Sequence, residues 1–547
     1  MPQGMTSTAD ASPDSGEQLA TLISSLRNGN CFDHPTGKIT VLQTHISYVL
    51  LTGTYAYKIK KPVKLPFLDF STLAMRKHYC EEELRINRRL APELYLDVVP
   101  ITGAAQAPRM NGEGKAIEYA VKMLEFPDAD RLDRVAQRNE LGESQIRELA
   151  QSISAFHDSI AVADRSSPFA NSERLRREVM ENFDTLCSQP LPGPVASLLD
   201  EIRAWSTRTL VDLGGQFRER KRVGKVRECH GDMHLANMAL LDGRIVIFDA
   251  LEFNENLRWI DVQSELAFLA MDLEYRGLAR LGWLLVSAYL ESTGDYAGLR
   301  VLRHYKVYRA MVRAKVAALR ARQCTSGTPA ADEASADAVA HIRLAHDCLL
   351  PSKRPPLVIT HGLSGSGKSH LSATLLQALG AVCVRSDVER QRLVGAGKIR
   401  AAELYTTAGI DRTYRALALR ARTIVECGYP AIVDATFLKR RQRMRFLELA
   451  RELGAPFVIL SLNAPMETLE ARVARRQAEA TDASEATVDV LRGQRTTMDE
   501  LSNEEREAAL EVSSGGELDV NAIARRILRG RAAPWQRRLD QPLGDQH

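Results

Sequence analysis

The segment CHGDMHLANM, residues 229–238, holds Asp232 and Asn237 five positions apart behind a His-Gly pair, and IVIFDALEF then brings Asp249 twelve positions after Asn237. A phosphoryl-transfer site uses such an arrangement to hold a hydroxyl and a metal ion. A second stretch, GLSGSGKSH at residues 362–370, lies more than a hundred positions downstream. There Gly362, Gly367, Lys368 and Ser369 satisfy GxxxxGK[ST], between strand-like LVITH and helix-like HLSATLLQAL. The glycines let the backbone of Gly362, Leu363, Ser364, Gly365, Ser366 and Gly367 curl so that its N–H groups meet phosphate oxygens. The helix start at Lys368, Ser369 and His370 adds partial positive charge. Lys368 is expected on the β and γ phosphates and Ser369 on Mg²⁺.

Further residues in this half fit the same chemistry. Asp387 follows the strand-like AVCVR, at the end where substrates bind in doubly wound sheets, and a carboxylate there can accept a hydroxyl proton. Arg385 or Arg390 is suited to a substrate anion. IVDATF places Asp434, with Thr436 beside it, as the acidic partner of the Mg²⁺ shell. ARVARRQ puts Arg472, Arg475 and Arg476 on a helix, where their guanidinium groups can close over a transferring phosphate. The bland readings are a helix cap for Asp387 and a solvated face for the arginines. Across residues 356–530 the set resembles small-molecule P-loop kinases of the gluconate kinase, polynucleotide kinase and zeta-toxin type.

The first segment has its own likeness. Eukaryotic-type kinases space a base Asp and a metal-binding Asn as D-x-x-x-x-N, with a second metal Asp on the next hairpin. HGD in place of HRD resembles the aminoglycoside phosphotransferase and choline kinase branch, over residues 35–325. The resemblance implies that Asp232 deprotonates the acceptor hydroxyl and that Asn237 and Asp249 bind Mg²⁺ bridging ATP phosphates. It makes Glu252 an accessory carboxylate, His230 a brace for the loop and His234 structural. Such a fold needs a lysine on its third strand, and TYAYKIKK offers Lys58, with Lys60 on the same face as the alternative. The partner acid comes from CEEELRINRRL as Glu83 or Glu82, and the helix WIDVQSELAFLAMDL offers Glu265, ahead of Asp261, to brace the metal loop. No G-x-G-x-x-G precedes the lysine, so the nucleotide would be covered by a hairpin tip at Gly53.

The elements that must position these residues change character along the chain. ITVLQTHISYVLLTG and TYAYKIKKPV read as β-rich runs meeting at Thr52-Gly53, followed by a helical stretch over 71–90, strands LYLDVVPIT and AIEYAVKML, and helices from 140 to 225. An Asp242-Gly243 turn joins the two strands around the metal loop, and helices resume to residue 322. Beyond the paired prolines of LLPSKRPP, the apolar runs LVITHG, AVCVR, AIVDAT and FVILSL alternate with helices, which indicates a parallel sheet covered on both faces. The expected organisation is a disordered leader at 1–18, an α+β protein-kinase-like (aminoglycoside phosphotransferase-like) domain at 19–325, a linker with one helix at 326–355, an α/β P-loop NTPase domain at 356–530 and a flexible tail at 531–547.

Hydrophobic residues at 45% and charged residues at 26% suit two soluble cores. A net charge of +4 is too small to argue for nucleic acid, and eight scattered cysteines without a CxxC pair argue against zinc and against a disulfide framework. The polar N-terminus and the lack of a long uncharged apolar run lead to the expectation of a cytoplasmic protein with no membrane partner. The combination resembles a bacterial family that fuses an aminoglycoside phosphotransferase-like domain to a P-loop ATP-binding domain. That implies a bifunctional, ATP- and Mg²⁺-dependent kinase acting on hydroxyls of small molecules. Two other functions stay open: a P-loop kinase regulated by a degenerate kinase-like half, and an ATP-driven switch that binds a partner without modifying it.

Overall fold

Alternation along Tyr55–Lys60 organises the N-terminal half, as the computed structural model shows for residues 13–65, 68–188, 193–325, 327–350, 354–479, 487–513 and 518–529. Strands Thr40–Gln43, Ser47–Leu51 and Tyr55–Lys60 pair in antiparallel register, and Ala116–Leu124, Tyr95–Ala104 and Ala107–Met110 complete a six-stranded antiparallel sheet. Successive side chains of a strand point to opposite faces. Tyr57 and Ile59 therefore enter one core, with Leu19, Leu22, Ile23 and Leu26 of helix Pro13–Leu26, while Lys58 and Lys60 face the other way. Of the leader expected over 1–18, residues 1–12 lie outside the described residues, whereas residues 13–18 are helical and begin this packed element. The expected β-rich run before Gly53 is two strands rather than one.

On the lysine face lies helix Leu73–Asn87, started by Thr72, whose hydroxyl accepts from the Met75 N–H at 3.2 Å. Its buried stripe is Arg76, Cys80, Glu83 and Asn87, spaced for one helical face yet mostly polar. Arg76 is held by Glu118 of the sheet, with Nη2 to Oε2 at 2.8 Å. The hairpin Met238–Leu241 with Arg244–Ile247 turns at Asp242 (φ +49°) and Gly243 (φ +77°), a two-residue turn with both central residues left-handed.

In the C-terminal half, five parallel strands lie in the order Val382–Arg385, Ala431–Asp434, Leu357–His361, Phe457–Asn463 and Ala509–Ser513. All five residues of the central strand Leu357–His361 are buried, as a sheet covered on both faces requires. The last strand, absent from the sequence reading, is an edge strand with alternating burial. Contacts divide the chain into two units. One is built on residues up to 145, 155–177 and 217–269; the other on 146–154, 178–216 and from 270 onward. Helices Ala279–Thr293, Leu299–Gln323 and Pro329–Asp347 thus cluster with the P-loop sheet. Among the described residues, no helix is long and apolar enough to cross a membrane.

Candidate functional site

In the first unit, two lysines converge on one glutamate. Lys58 Nζ lies 2.7 Å from Glu83 Oε1 and Lys60 Nζ 2.7 Å from Glu83 Oε2, so each carboxylate oxygen takes one ammonium. Lys58 also reaches Asp249 Oδ1 at 2.6 Å, whereas Lys60 pairs with Glu252. Of the two lysines, Lys58 is the one that meets the predicted metal ligand: the Asp249 side chain is 44% exposed, whereas Lys60 and Glu83 are sealed. Glu82 turns away to Arg85 and Arg258. Burial works against the charge on Lys58, but the Asp249 and Glu83 carboxylates overcome it and hold its pKa well above the ordinary range. Burial likewise opposes ionisation of Glu83, and the two lysines win, holding it down; Glu252 is pushed up by burial that Lys60 offsets only in part.

Asp249 adopts φ +63°, a left-handed conformation that Asp tolerates better than most residues. Its N–H donates to the Tyr95 hydroxyl at 3.1 Å, and the next N–H, of Ala250, donates to Asn87 Oδ1 at 2.8 Å. The end of the glutamate-bearing helix thereby fixes the backbone that carries Asp249. Neither partner was legible in the sequence, since Tyr95 and Asn87 read as ordinary strand and helix residues.

The loop with Asp232 is tied to the same segment. The His230 carbonyl accepts from the Leu251 N–H at 3.0 Å, and the Asn237 carbonyl from the Phe248 N–H at 3.0 Å. His230 Nε2 lies 2.8 Å from the Phe248 carbonyl and Nδ1 3.2 Å from the Asp232 N–H. A carbonyl only accepts and an amide only donates, so the ring is the neutral Nε2–H tautomer. Burial lowers its pKa accordingly, against the pull of nearby carboxylates led by Glu265. Gly231 (φ +91°) has no room for a side chain, because a Cβ would sit 2.8 Å from the Leu257 carbonyl oxygen. Its N–H donates to Glu265 Oε1 at 2.7 Å, while Glu265 Oε2 pairs with His157 Nε2 at 2.9 Å. Glu265, rather than Asp261, braces the loop; Asp261 is taken by Arg220 at 2.6 Å. His157 carried no signal, being one histidine within a helical pattern.

Asn237 Nδ2 donates to the Asp232 carbonyl and to Asp232 Oδ2, both at 3.0 Å, and His234 Nε2 lies 3.3 Å from that same Oδ2. With its NH₂ so used, Asn237 has its amide oxygen left to ligate. That oxygen and the Asp249 carboxylate are hard oxygen donors of the kind that suits magnesium.

In the second unit, the loop of residues 362–367 turns where only glycine fits: Gly362 has φ +143°, and a Cβ would lie 2.5 Å from the Leu462 carbonyl oxygen. Gly362 N–H donates to the Thr436 carbonyl at 3.2 Å. Lys368, first residue of helix Lys368–Leu379, curls over its own loop, donating to the Leu363 carbonyl at 2.7 Å and to Ser366 Oγ at 3.4 Å. Ser364 N–H donates to Gln494 Oε1 at 3.0 Å, a contact from helix Val488–Thr497 that the sequence reading missed. Ser369 and His370 follow in the first turn of the helix, and Asp434 ends the adjacent strand with its side chain only 5% exposed. Ser369 hydroxyl and Asp434 carboxylate are again oxygen donors that suit magnesium.

Arg385 Nε lies 3.7 Å from Asp434 Oδ2. Asp387 is ion-paired to Arg390, whose guanidinium stands 5.4 Å from the Tyr405 ring centre. Arg472 Nη1 donates to the Gly365 carbonyl at 3.4 Å, bringing one of the three predicted arginines onto the loop. Arg475 is exposed on the same helix, and the side chain of Arg476 lies outside the described residues.

Residues 357–501 match the family model described as an AAA domain. Over 473 residues, 84% of this chain and 91% of the relative, the sequence is 29% identical to an uncharacterized protein of Mycobacterium tuberculosis (strain ATCC 25618 / H37Rv). Among solved structures, a gluconokinase from Sinorhizobium meliloti is 21% identical with a TM-score of 0.25, covering 35% of this chain and 100% of its own. A choline/ethanolamine kinase family protein from Mesorhizobium loti is 14% identical with a TM-score of 0.37, covering 60% and 99%. An antiparallel sheet with a buried lysine–glutamate pair is thus followed along the chain by a parallel sheet that belongs, over residues 357–501, to the match with the AAA domain.

Proposed function

We propose that the protein is an ATP- and Mg²⁺-dependent phosphotransferase that acts on hydroxyl groups of small molecules and has two nucleotide sites, one in each unit. The observation that carries the reading is the ion pair of Lys58 with Asp249, at 2.6 Å across 191 residues of sequence, which sets a phosphate-binding cation against a metal-binding acid. Lys58, oriented by Glu83, neutralises nucleotide phosphates. Asp232 orients the acceptor hydroxyl and takes its proton as the acceptor oxygen bonds to the γ-phosphorus and the bond from that phosphorus to the bridging oxygen breaks, releasing ADP. Magnesium, held by Asn237 and Asp249, supplies charge neutralisation on the phosphates when bound.

In the P-loop half, Lys368 leaves the carbonyl of Leu363 for the β and γ phosphates, Ser369 and Asp434 hold the metal, and Asp387 receives the acceptor proton once Arg390 is drawn toward substrate. Arg472, with Arg475 and Arg476, closes over the transferring group. Full-length protein incubated with γ-labelled ATP and a cytosolic extract should yield labelled small molecules. Asp232→Ala should remove one set of products and Lys368→Ala another. Loss of every product in Lys368→Ala with none lost in Asp232→Ala would instead make the N-terminal half a regulator. Hydrolysis with no labelled product in any extract would leave a switch.

A further inference from the structure

Val382–Arg385 is one of the two edge strands of the parallel sheet and pairs with Ala431–Asp434, the strand that ends in Asp434. An edge strand presents backbone N–H groups outward, and here that of Cys383 donates to Ser287 Oγ at 3.0 Å. Ser287 sits on helix Ala279–Thr293, one turn before Glu291, so the helix face that covers the edge also delivers a carboxylate beside the strand's end. Glu291 Oε1 lies 3.4 Å from Arg385 Nη1, and the Glu291 carbonyl accepts from Arg392 Nη2. The Arg392 guanidinium fills the space over Gly294, the helix cap, where a Cβ would stand 2.7 Å from its Nε. Arg385 therefore stands between two carboxylates: Glu291 on one side and Asp434, at 3.7 Å, on the other. Glu291 lies outside residues 357–501, the extent of the AAA-domain match.

We infer that Glu291 is a positioning residue for the P-loop site: by holding Arg385, it keeps the Asp434 carboxylate available to a nucleotide-bound divalent cation. The inference rests on the reading of residues 362–370 with Asp434 as a magnesium–nucleotide site. When Glu291 loses its charge, one of the carboxylates that attract the Arg385 guanidinium is gone, and the pull toward Asp434 is opposed less. Removing the charge on Glu291 therefore makes Arg385 compete with the cation for Asp434.

The test is equilibrium binding of a fluorescent ATP analogue to the full chain, titrated with Mg²⁺, with Lys368→Ala run in parallel so that only Lys368-dependent binding is read. Glu291→Gln should raise the Mg²⁺ concentration for half-maximal binding about three- to tenfold while metal-free binding stays unchanged. In an Arg385→Gln background the same substitution should produce no further rise. An unchanged Mg²⁺ midpoint in Glu291→Gln overturns the inference, and so does an equal rise when Arg385 is absent. Should Glu291→Gln not fold by circular dichroism, Glu291→Asp, which draws the carboxylate back by one methylene, carries the test: a smaller rise supports it and no rise overturns it. Wild-type protein without Lys368-dependent binding removes the nucleotide-site reading and the inference together, whereas normal binding with unaltered Mg²⁺ dependence removes the inference alone.

Discussion

Lys58 and Lys60 are two residues apart and share Glu83, yet substitution should separate them. Lys60 is fully buried between Glu83 and Glu252, with the Phe70 ring centre 5.0 Å from its ammonium. Lys60→Met would leave buried Glu252 without its ammonium and Glu83 with Lys58 alone, a loss of about 3–5 kcal/mol visible as a lower urea midpoint. Lys58→Met leaves Glu83 still paired to Lys60 and leaves Asp249 exposed to water, so it should cost about 1 kcal/mol while abolishing nucleotide binding by this unit. His230 gives a pH prediction of definite sign. Burial holds its pKa below the ordinary 6.5, against Glu265, Asp232 and Asp249. Below pH 6.5 the unfolded chain takes up a proton that the folded chain refuses, because protonated Nδ1 would face the Asp232 N–H donor. This contribution to stability is therefore present above pH 6.5 and is lost as the pH falls through the lower folded value. Buried His304 and His361, each lowered to about 4, act with the same sign, so the quantity to measure is the difference between wild type and His230→Asn. The urea midpoint should fall less steeply with acidification in the variant.

At the scale of elements, the Asp232 loop depends on a glycine and on the helix behind it. Gly231→Ala forces a Cβ against the Leu257 carbonyl in a left-handed conformation and weakens the N–H contact to Glu265. A loss of about 2–4 kcal/mol is expected, with products that need Asp232 lost and those that need Lys368 retained. The loop itself was legible because its parts are close in sequence: Asp232, Asn237 and the Asp242-Gly243 turn follow spacing and turn chemistry alone. Four strands of the parallel sheet were legible because burial on both faces writes a continuous apolar run, as in LVITH. Ala509–Ser513 was not, since as an edge strand it buries only alternate residues. Strand alternation placed Lys58 and Lys60 on one face but left the choice between them open. What distinguishes the two is their pairing with Asp249 and Glu252, some 190 residues away, which no local pattern encodes.

At the scale of the whole molecule, the Asp232 loop and the loop of residues 362–367 fall in different contact units, and helices from Ala279 to Asp347 cluster with the P-loop sheet rather than with the Asp232 loop. A ligand that binds only the folded form of one unit stabilises that unit, by about 2.7 kcal/mol at a hundredfold excess over its dissociation constant. Magnesium and ATP should therefore raise the unfolding temperature of both units in wild-type protein. Lys58→Met should cancel the rise for the unit that contains the antiparallel sheet, and Lys368→Ala for the unit that contains the parallel sheet. Hydrogen exchange followed by peptide assigns each rise to its residues. Because Ser287 accepts from Cys383 and Glu291 pairs with Arg385, protection gained on nucleotide binding should extend into Ala279–Thr293 and vanish there in Lys368→Ala. Protection in that helix that instead followed Lys58 would mean that it answers to the kinase-like site, and the grouping of these helices with the P-loop would have no bearing on ligand binding.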